Sequence, residues 1–284
     1  MKIFRAPKQY DLFLTHSWVS VRHGICGHTF EVIDYYLFLK DNTSIKVGML
    51  FTEYKHFQDF QKDLDIILEK YNLTEIEKHN LLLDTFIEYQ PVIYKGNFLF
   101  TDGSKAIADY TIFGKSFTFL CGFKPTKTYF GKTITLGDSR IYDYYTIDYK
   151  KKIYFRRYKK PQHIPKGKGT LLYVTENCRD YQYDDGIYVD NPIILRKKDL
   201  PKKDFFSFEK YFYTPIERKF DCSPRLLAEC KYYNKEVIFH PKVLKYMEED
   251  KGLSARMYDI NNDFMSIHLL PDDDIIDILK NNLK

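Results

Sequence analysis

Residues 219–240, KFDCSPRLLAECKYYNKEVIFH, set an Arg between two acids at the mouth of a helix. Ser223 followed by Pro224 is a helix start: a capping hydroxyl, then a Pro where the missing N–H has no intrahelical partner to lose. Arg225 therefore falls in the first turn, beside unpaired N–H groups and the positive end of the helix dipole, where a cation is locally unfavourable. An anion held jointly by those N–H groups and the guanidinium removes the conflict. Glu229 follows four residues later, one turn up the same face. Two readings are open. Arg225 and Glu229 form an i,i+4 ion pair and nothing more. Or Arg225 and the helix end hold a diphosphate, Glu229 accepts hydrogen bonds from a ribose, and Asp221 in the preceding loop reaches the group beyond the phosphate.

The run Asp221-Cys-Ser-Pro-Arg-Leu-Leu-Ala-Glu229 resembles the donor-binding signature of GT-B-type glycosyltransferases, two acids separated by seven positions. The resemblance implies that Glu229 binds the nucleotide ribose and that Asp221, where the family usually has Glu, contacts the transferred sugar. It implies an α/β protein of two Rossmann-like domains facing a cleft, with a C-terminal helix packing back toward the first domain. It also implies a nucleoside-diphosphate sugar as donor substrate, with no metal and no further cofactor. The paired acids are commoner among retaining members.

Further candidates extend the same resemblance. Arg179, in LLYVTENCRDY, stands where many members carry a basic residue for the diphosphate, although an Arg in a loop is usually just exposed. The loop HSWVSVRHGICGHTFE leads through Gly24, Gly27 and His28 into a helix. Glycines there let backbone approach a phosphate closely, and a His near neutral pKa can take an acceptor proton. Asp102, in FLFTDGSK, is the alternative base: the tetrad LFTD is similar to the region carrying the base Asp in bacteriophage DNA β-glucosyltransferases. Asp102 as a turn residue or helix cap is equally open. His16, His23, Cys26 and His28 match no zinc spacing, so no metal site is expected.

The elements needed to position these residues alternate along the chain. QYDLFLTHS, SIKVGMLFTE, NFLF and SFTFLCGF read as strands, and FEVIDYYLFLK as a helix. Phe57, Phe60, Leu64, Ile67, Leu68 and Tyr71 share one helical face, and Thr74 with Glu77 forms a capping box. GTLLYVTE, NPIILRK, EKYFYTPI and KEVIFH continue the strand pattern, and PDDDIIDILKNNLK is a helix acidic at its start and basic at its end. Such alternation implies βαβ units around a mainly parallel sheet. Pro, Gly and charge concentrate at 159–169, which sets the expected domains at 1–160 (acceptor side), 161–270 (nucleotide-sugar side) and a closing helix at 271–284.

The chain has 284 residues, 44% of them hydrophobic and 17% aromatic, enough for a sizeable core. No apolar run approaches a membrane span, and five scattered cysteines suit a reducing compartment, so a cytoplasmic protein (host cytoplasm if viral) is expected. The net charge of +5 hides a concentration of nine Lys or Arg between 150 and 168, interleaved with Tyr149, Tyr154, Phe155 and Tyr158. This stripe is either a solvated linker or a nucleic-acid contact in which cations meet phosphates and rings stack on bases. The acceptor is then a modified DNA base, or else a cytoplasmic glycan or lipid-linked sugar. A non-enzymatic nucleic-acid-binding protein is the alternative of a different class.

Overall fold

The computed structural model describes residues 2–15, 27–101, 111–119, 142–147, 153–163, 166–174, 192–196, 207–213, 225–241 and 273–283. In chain order the elements are β1 (Ile3–Arg5), β2 (Leu12–Thr15), α1 (Gly27–Asn42), β3 (Val47–Phe51), α2 (Phe57–Leu68), α3 (Glu75–Leu83), β4 (Thr85–Ile87), β5 (Ile93–Lys95), β6 (Phe98–Phe100), β7 (Thr111–Phe119) and β8 (Tyr142–Ile147). They continue with β9 (Thr170–Val174), β10 (Pro192–Arg196), β11 (Lys210–Tyr213), α4 (Arg225–Tyr232), β12 (Glu236–Phe239) and α5 (Asp273–Asn282). Two compact units result: residues 1–157 with 270–284, and residues 158–269. The protein is a mixed α/β chain, and among the described residues every strand pairing in both units is parallel.

In the first unit β5 and β6 act as one interrupted strand. Ile93 pairs with Thr111 and Phe98 with Ser116, so the same offset to β7 holds on both sides of the interruption. On the other side β1 pairs with β5 and β2 with β6, end to end. Beyond β2 lie β3 and then β4, while β8 flanks β7. The order across the sheet is thus β4-β3-β2-β6-β7-β8.

The interruption falls at Gly96-Asn97, opposite Gly114. Gly96 and Gly114 have φ of +133° and +140°, values that glycine alone adopts without strain. A Cβ on Gly114 would also sit 2.1 Å from the Gly96 carbonyl oxygen, so the two backbones meet because Gly114 carries no side chain, while a Cβ on Gly96 would lie 2.5 Å from that of Ala6. Asn97 repairs the ladder. Its Oδ1 accepts the Lys115 N–H at 3.0 Å, its Nδ2 donates to the Asp11 carbonyl at 3.1 Å, and its own carbonyl accepts the Phe13 N–H at 2.9 Å.

One face of this sheet is aromatic: Phe4, Phe13, Tyr94, Phe98 and Phe100 pack with Leu50 and the partly buried Phe86. The rings meet edge to face, Phe4 to Phe13 at 5.2 Å and Phe13 to Phe86 at 5.3 Å, an arrangement favoured by the ring quadrupoles. The opposite face takes α2. Phe51, on that face by strand alternation, stacks on Phe60 of α2 at 4.5 Å. α1 is buried over residues 31–39 without a solvent side, and that stretch includes two carboxylates, Glu31 and Asp34. α2 buries Phe60, Leu64, Ile67 and Leu68, whereas Phe57 remains 39% exposed at its first turn. α3 opens with the expected box, Thr74 Oγ1 accepting the Glu77 N–H while Glu77 Oε2 accepts the Thr74 N–H. α5 buries Ile275, Ile276 and Leu279, and its Asn282 carbonyl accepts a hydrogen bond from Lys115.

The second unit has strand order β10-β9-β11-β12. Its core joins Leu171, Phe208, Tyr211 and Tyr213 to Leu227 and Cys230 of α4. Gly167 lets residues 166–169 run against 207–209: a Cβ there would lie 2.0 Å from the Ser207 carbonyl oxygen, which instead accepts the Lys168 N–H at 2.7 Å.

Candidate functional site

In an open parallel sheet, ligands bind beyond the carboxyl ends of the strands, where neighbouring strands send their connections in opposite directions. Each unit has one such point. In the second unit it lies between β9 and β11, because β9 leads out to β10 and β11 leads the other way to β12. In the first unit it lies between β2 and β6.

β9 ends at Val174 and β11 at Tyr213, and the two pair from Lys210↔Thr170 onward. Arg179 follows β9 in sequence by five residues. Asp221 and Ser223 lie between β11 and α4. All three, like Asp102, lie outside the described residues. Arg225 is the first residue of α4, and the Ser223-Pro224 pair read as its start signal lies outside the described residues. Glu229, in the middle of α4, is 2% exposed and belongs to a run of four buried residues, 227–230. The structure makes this acid an interior one.

α4 ends in a Schellman motif. The Lys235 N–H reaches the Cys230 carbonyl at 2.8 Å, the Asn234 N–H reaches Lys231 at 3.1 Å, and Asn234 takes φ 54°. Lys235 Nζ then donates to the Phe208 carbonyl at 2.6 Å, and burial pushes its pKa down. These contacts fix the end of α4 against the sheet. The sequence reading overlooked His240. It directly follows β12, is 4% exposed, donates its N–H to the Tyr213 carbonyl at 3.0 Å and sets its ring edgewise on Phe212 at 5.9 Å. A His between a strand and a Pro was the available signal.

At the first unit's edge the backbone of Gly27 and His28 opens α1, which follows β2. Thr15 and Thr101 end β2 and follow β6, joined by the Thr101 N–H to the Thr15 carbonyl at 2.9 Å. Thr15, Thr29, Thr52 and Thr101 are all buried polar residues of this edge or of the helix above it. Glu53, just past β3, accepts the Thr52 N–H at 3.0 Å. Further along α1, Glu31 and Asp34 are buried, and Tyr71 donates its hydroxyl to Asp34 Oδ1 at 2.8 Å. Lys70, also buried, lies 4.2 Å from the Phe30 ring centre.

The basic stripe requires a correction. Tyr154, Phe155 and Tyr158 are core residues, 6%, 5% and 1% exposed, and cannot stack on bases. Tyr154 donates its hydroxyl to Asp41 Oδ2 at 2.9 Å, and Arg157 is bound to Asp41 and Glu77. Arg156, Lys160, Lys166 and Lys168 do face solvent. The sequence pattern merged an anchoring segment with a solvated one.

Among the described residues no group of three or more His, Cys, Asp or Glu is placed to hold a metal ion, and no helix is long and apolar enough to cross a membrane. Comparison with protein-family models, with curated proteins and with solved structures finds no match to the chain.

Proposed function

We propose that the chain is a GT-B-type glycosyltransferase, in which the second unit holds a nucleoside-diphosphate sugar and the first binds the acceptor. The observation that carries this reading is the reversal of strand order at β9 and β11. The segments that follow these two neighbouring strands contain Arg179 on one side and Asp221, Ser223 and Arg225 on the other. Residues chosen from sequence for diphosphate and sugar thus follow, in the sequence, two neighbouring strands whose connections diverge, the kind of point at which open α/β sheets bind ligands. The order β4-β3-β2-β6-β7-β8 supports the same reading for the first unit, since it reproduces the 3-2-1-4-5-6 order of a Rossmann-like sheet.

In this reading Arg225 and the amino end of α4 neutralise the diphosphate, assisted by Arg179, and Glu229 accepts the ribose hydroxyls. Asp221 meets the sugar. Gly27 leaves room at the start of α1, and His28 or Asp102 takes the acceptor proton. No cofactor beyond the donor substrate is required. The exposed cations between Arg156 and Lys168 favour a polyanionic acceptor such as DNA.

The test is a thermal-shift screen against nucleoside diphosphates and their sugars, where a ligand at 100 times its dissociation constant adds about 2.7 kcal/mol. Arg225→Ala abolishes the shift in a folded protein. Glu229→Gln loses the preference for ribose over 2′,3′-dideoxyribose ligands. Of His28→Ala and Asp102→Asn, the one that removes the base lowers turnover about 10²–10⁴-fold with donor affinity kept. A folded Arg225→Ala protein with unchanged nucleotide affinity overturns the donor site.

A further inference from the structure

β1 stands at one end of the strand order and, among the described residues, pairs only with β5. Successive residues of a strand turn their N–H and C=O groups to opposite sides. The Lys2 carbonyl accepts the Val92 and Ile93 N–H groups at 3.1 and 3.3 Å, and the Ala6 N–H reaches the Lys95 carbonyl at 2.8 Å. Residues 2, 4 and 6 are therefore turned toward β5, and the N–H and C=O groups of Ile3 and Arg5 point away from the sheet. Ile3 is 41% exposed and Val92, bonded to Lys2, is 39% exposed. Arg5 is exposed as well. An open edge of this kind is a template for one more strand.

The side chains along the edge select the strand that fits. Lys2 precedes β1 and Arg5 ends it. Lys2 Nζ lies 4.7 Å from the centre of the Tyr89 ring and Lys55 Nζ lies 5.1 Å from it, so a third cation is brought to the start of the strand. Arg5 and Lys55 belong to no ion pair among the described residues. Residues 2–10 include no carboxylate. A second copy of β1 would set these cations against their own kind, which disfavours self-pairing. A nucleic acid answers the charge, but offers neither a ladder of N–H and C=O groups nor an apolar partner for Ile3 and Val92. An extended acidic peptide offers all three.

We propose that the outer edge of β1 docks an extended acidic segment of a partner protein, which adds a strand beside Ile3–Arg5 and sets its carboxylates against Lys2, Arg5 and Lys55. This surface does not depend on the glycosyltransferase reading.

The probe is a short fluorescent peptide of alternating Val and Glu, followed by anisotropy. Wild type binds it, and the affinity falls as salt screens the charges. The same peptide with Lys for Glu does not bind, nor does the N-methylated acidic peptide, which cannot pair as a strand. Ile3→Pro removes an outward N–H and none that β5 uses, a change edge strands tolerate. Its melting midpoint stays within about 2 °C of wild type. Its affinity for the peptide falls about tenfold, as for a backbone hydrogen bond lost with its acceptor left unpaired. Ile3→Ala keeps the N–H and loses less, and Arg5→Glu weakens the acidic peptide and admits the Lys one. A fall of several degrees in the Ile3→Pro midpoint shows that this N–H is already bonded within the fold and overturns the proposal. So do failure of wild type to bind the peptide, equal affinity of wild type and Ile3→Pro, an equal loss in Ile3→Ala, or binding unchanged by N-methylation. A wild-type dimer that Ile3→Pro abolishes, or an oligonucleotide bound in place of the peptide and lost in Arg5→Glu, overturns it in favour of another occupant.

Discussion

Arg157 grips Asp41 through two hydrogen bonds, Nε to Oδ2 at 2.7 Å and Nη2 to Oδ1 at 2.5 Å. Its remaining nitrogen, Nη1, reaches Glu77 Oε1 at 2.8 Å, and its carbonyl accepts the Asn72 N–H at 2.8 Å. Asp41 stands in the last turn of α1 and Glu77 in the capping box of α3. One guanidinium therefore joins the end of one helix to the start of another, at the last residue of the first unit before the chain enters the second.

Replacing Arg157 by Ala is expected to lower the unfolding free energy by about 2–3 kcal/mol. Charge-assisted bonds contribute about 1.5–3 kcal/mol each in favourable geometry, and both carboxylates lose a partner while partly buried. Lys at this position recovers less than half, since an ammonium cannot reproduce the fork. Urea unfolding measures both. A loss below 0.5 kcal/mol would put the cluster among ordinary surface pairs.

Acid should weaken the same junction. Burial pushes the Asp41 carboxyl up, but the hydrogen bonds from Arg157 and Tyr154 outweigh it and leave the pKa below the ordinary value. At Glu77 the Thr74 N–H is the largest single cause of a lowered pKa, with Arg157 adding to it. Both groups hold their protons more weakly folded than unfolded. Their contribution is therefore complete above the unfolded values of about 3.9 and 4.3 and is lost as pH falls through the lower folded ones. Asp41→Asn is expected to flatten the loss of stability below about pH 4, read from melting midpoints across an acid series.

The exposed cations give a separate expectation. If Arg156, Lys160, Lys166 and Lys168 hold nucleic acid, binding weakens with salt at a slope of about −0.9 per duplex phosphate contact. Changing the four to Ser flattens the slope without loss of stability, because Arg157 is left in place. Fluorescence anisotropy at several salt concentrations decides the matter. A slope unchanged in the fourfold variant returns these residues to the role of a solvated segment.

Asn234 terminates α4 in the left-handed region. Asn234→Gly is expected to retain or slightly raise stability, whereas Asn234→Val loses about 1–2 kcal/mol, because a branched side chain is strained there. Comparing the two by thermal unfolding checks the cap, and equal midpoints would contradict it.

What the sequence revealed was local. The Thr74–Glu77 box and the apolar runs of β2, β3, β9 and β11 each carry their signal within a few residues. The three-residue strands β1, β4 and β5 carry too little pattern to be read. The shared register of β5 and β6 depends on β7 and on Asn97, partners that no local window contains. Arg157 shows the same limit more sharply. Within its run it is one more cation, and its carboxylates lie 116 and 80 positions away. Glu229 was legible as a helix residue four positions past an Arg, but not as an interior one, because burial depends on what the rest of the unit covers.

The short strand β1 has a consequence for the behaviour of the isolated sheet. Residues 3–5 lie along β5, and the pairing continues through the Ala6 N–H to the Lys95 carbonyl at 2.8 Å. Ile93 and Tyr94, beneath it, are buried. Removing the first six residues would bare a row of unpaired backbone groups flanked by apolar side chains, the kind of border that recruits any extended peptide, including a neighbouring copy. Residues 3–5 thus behave as a resident ligand of their own sheet, occupying a position from which self-association would otherwise begin.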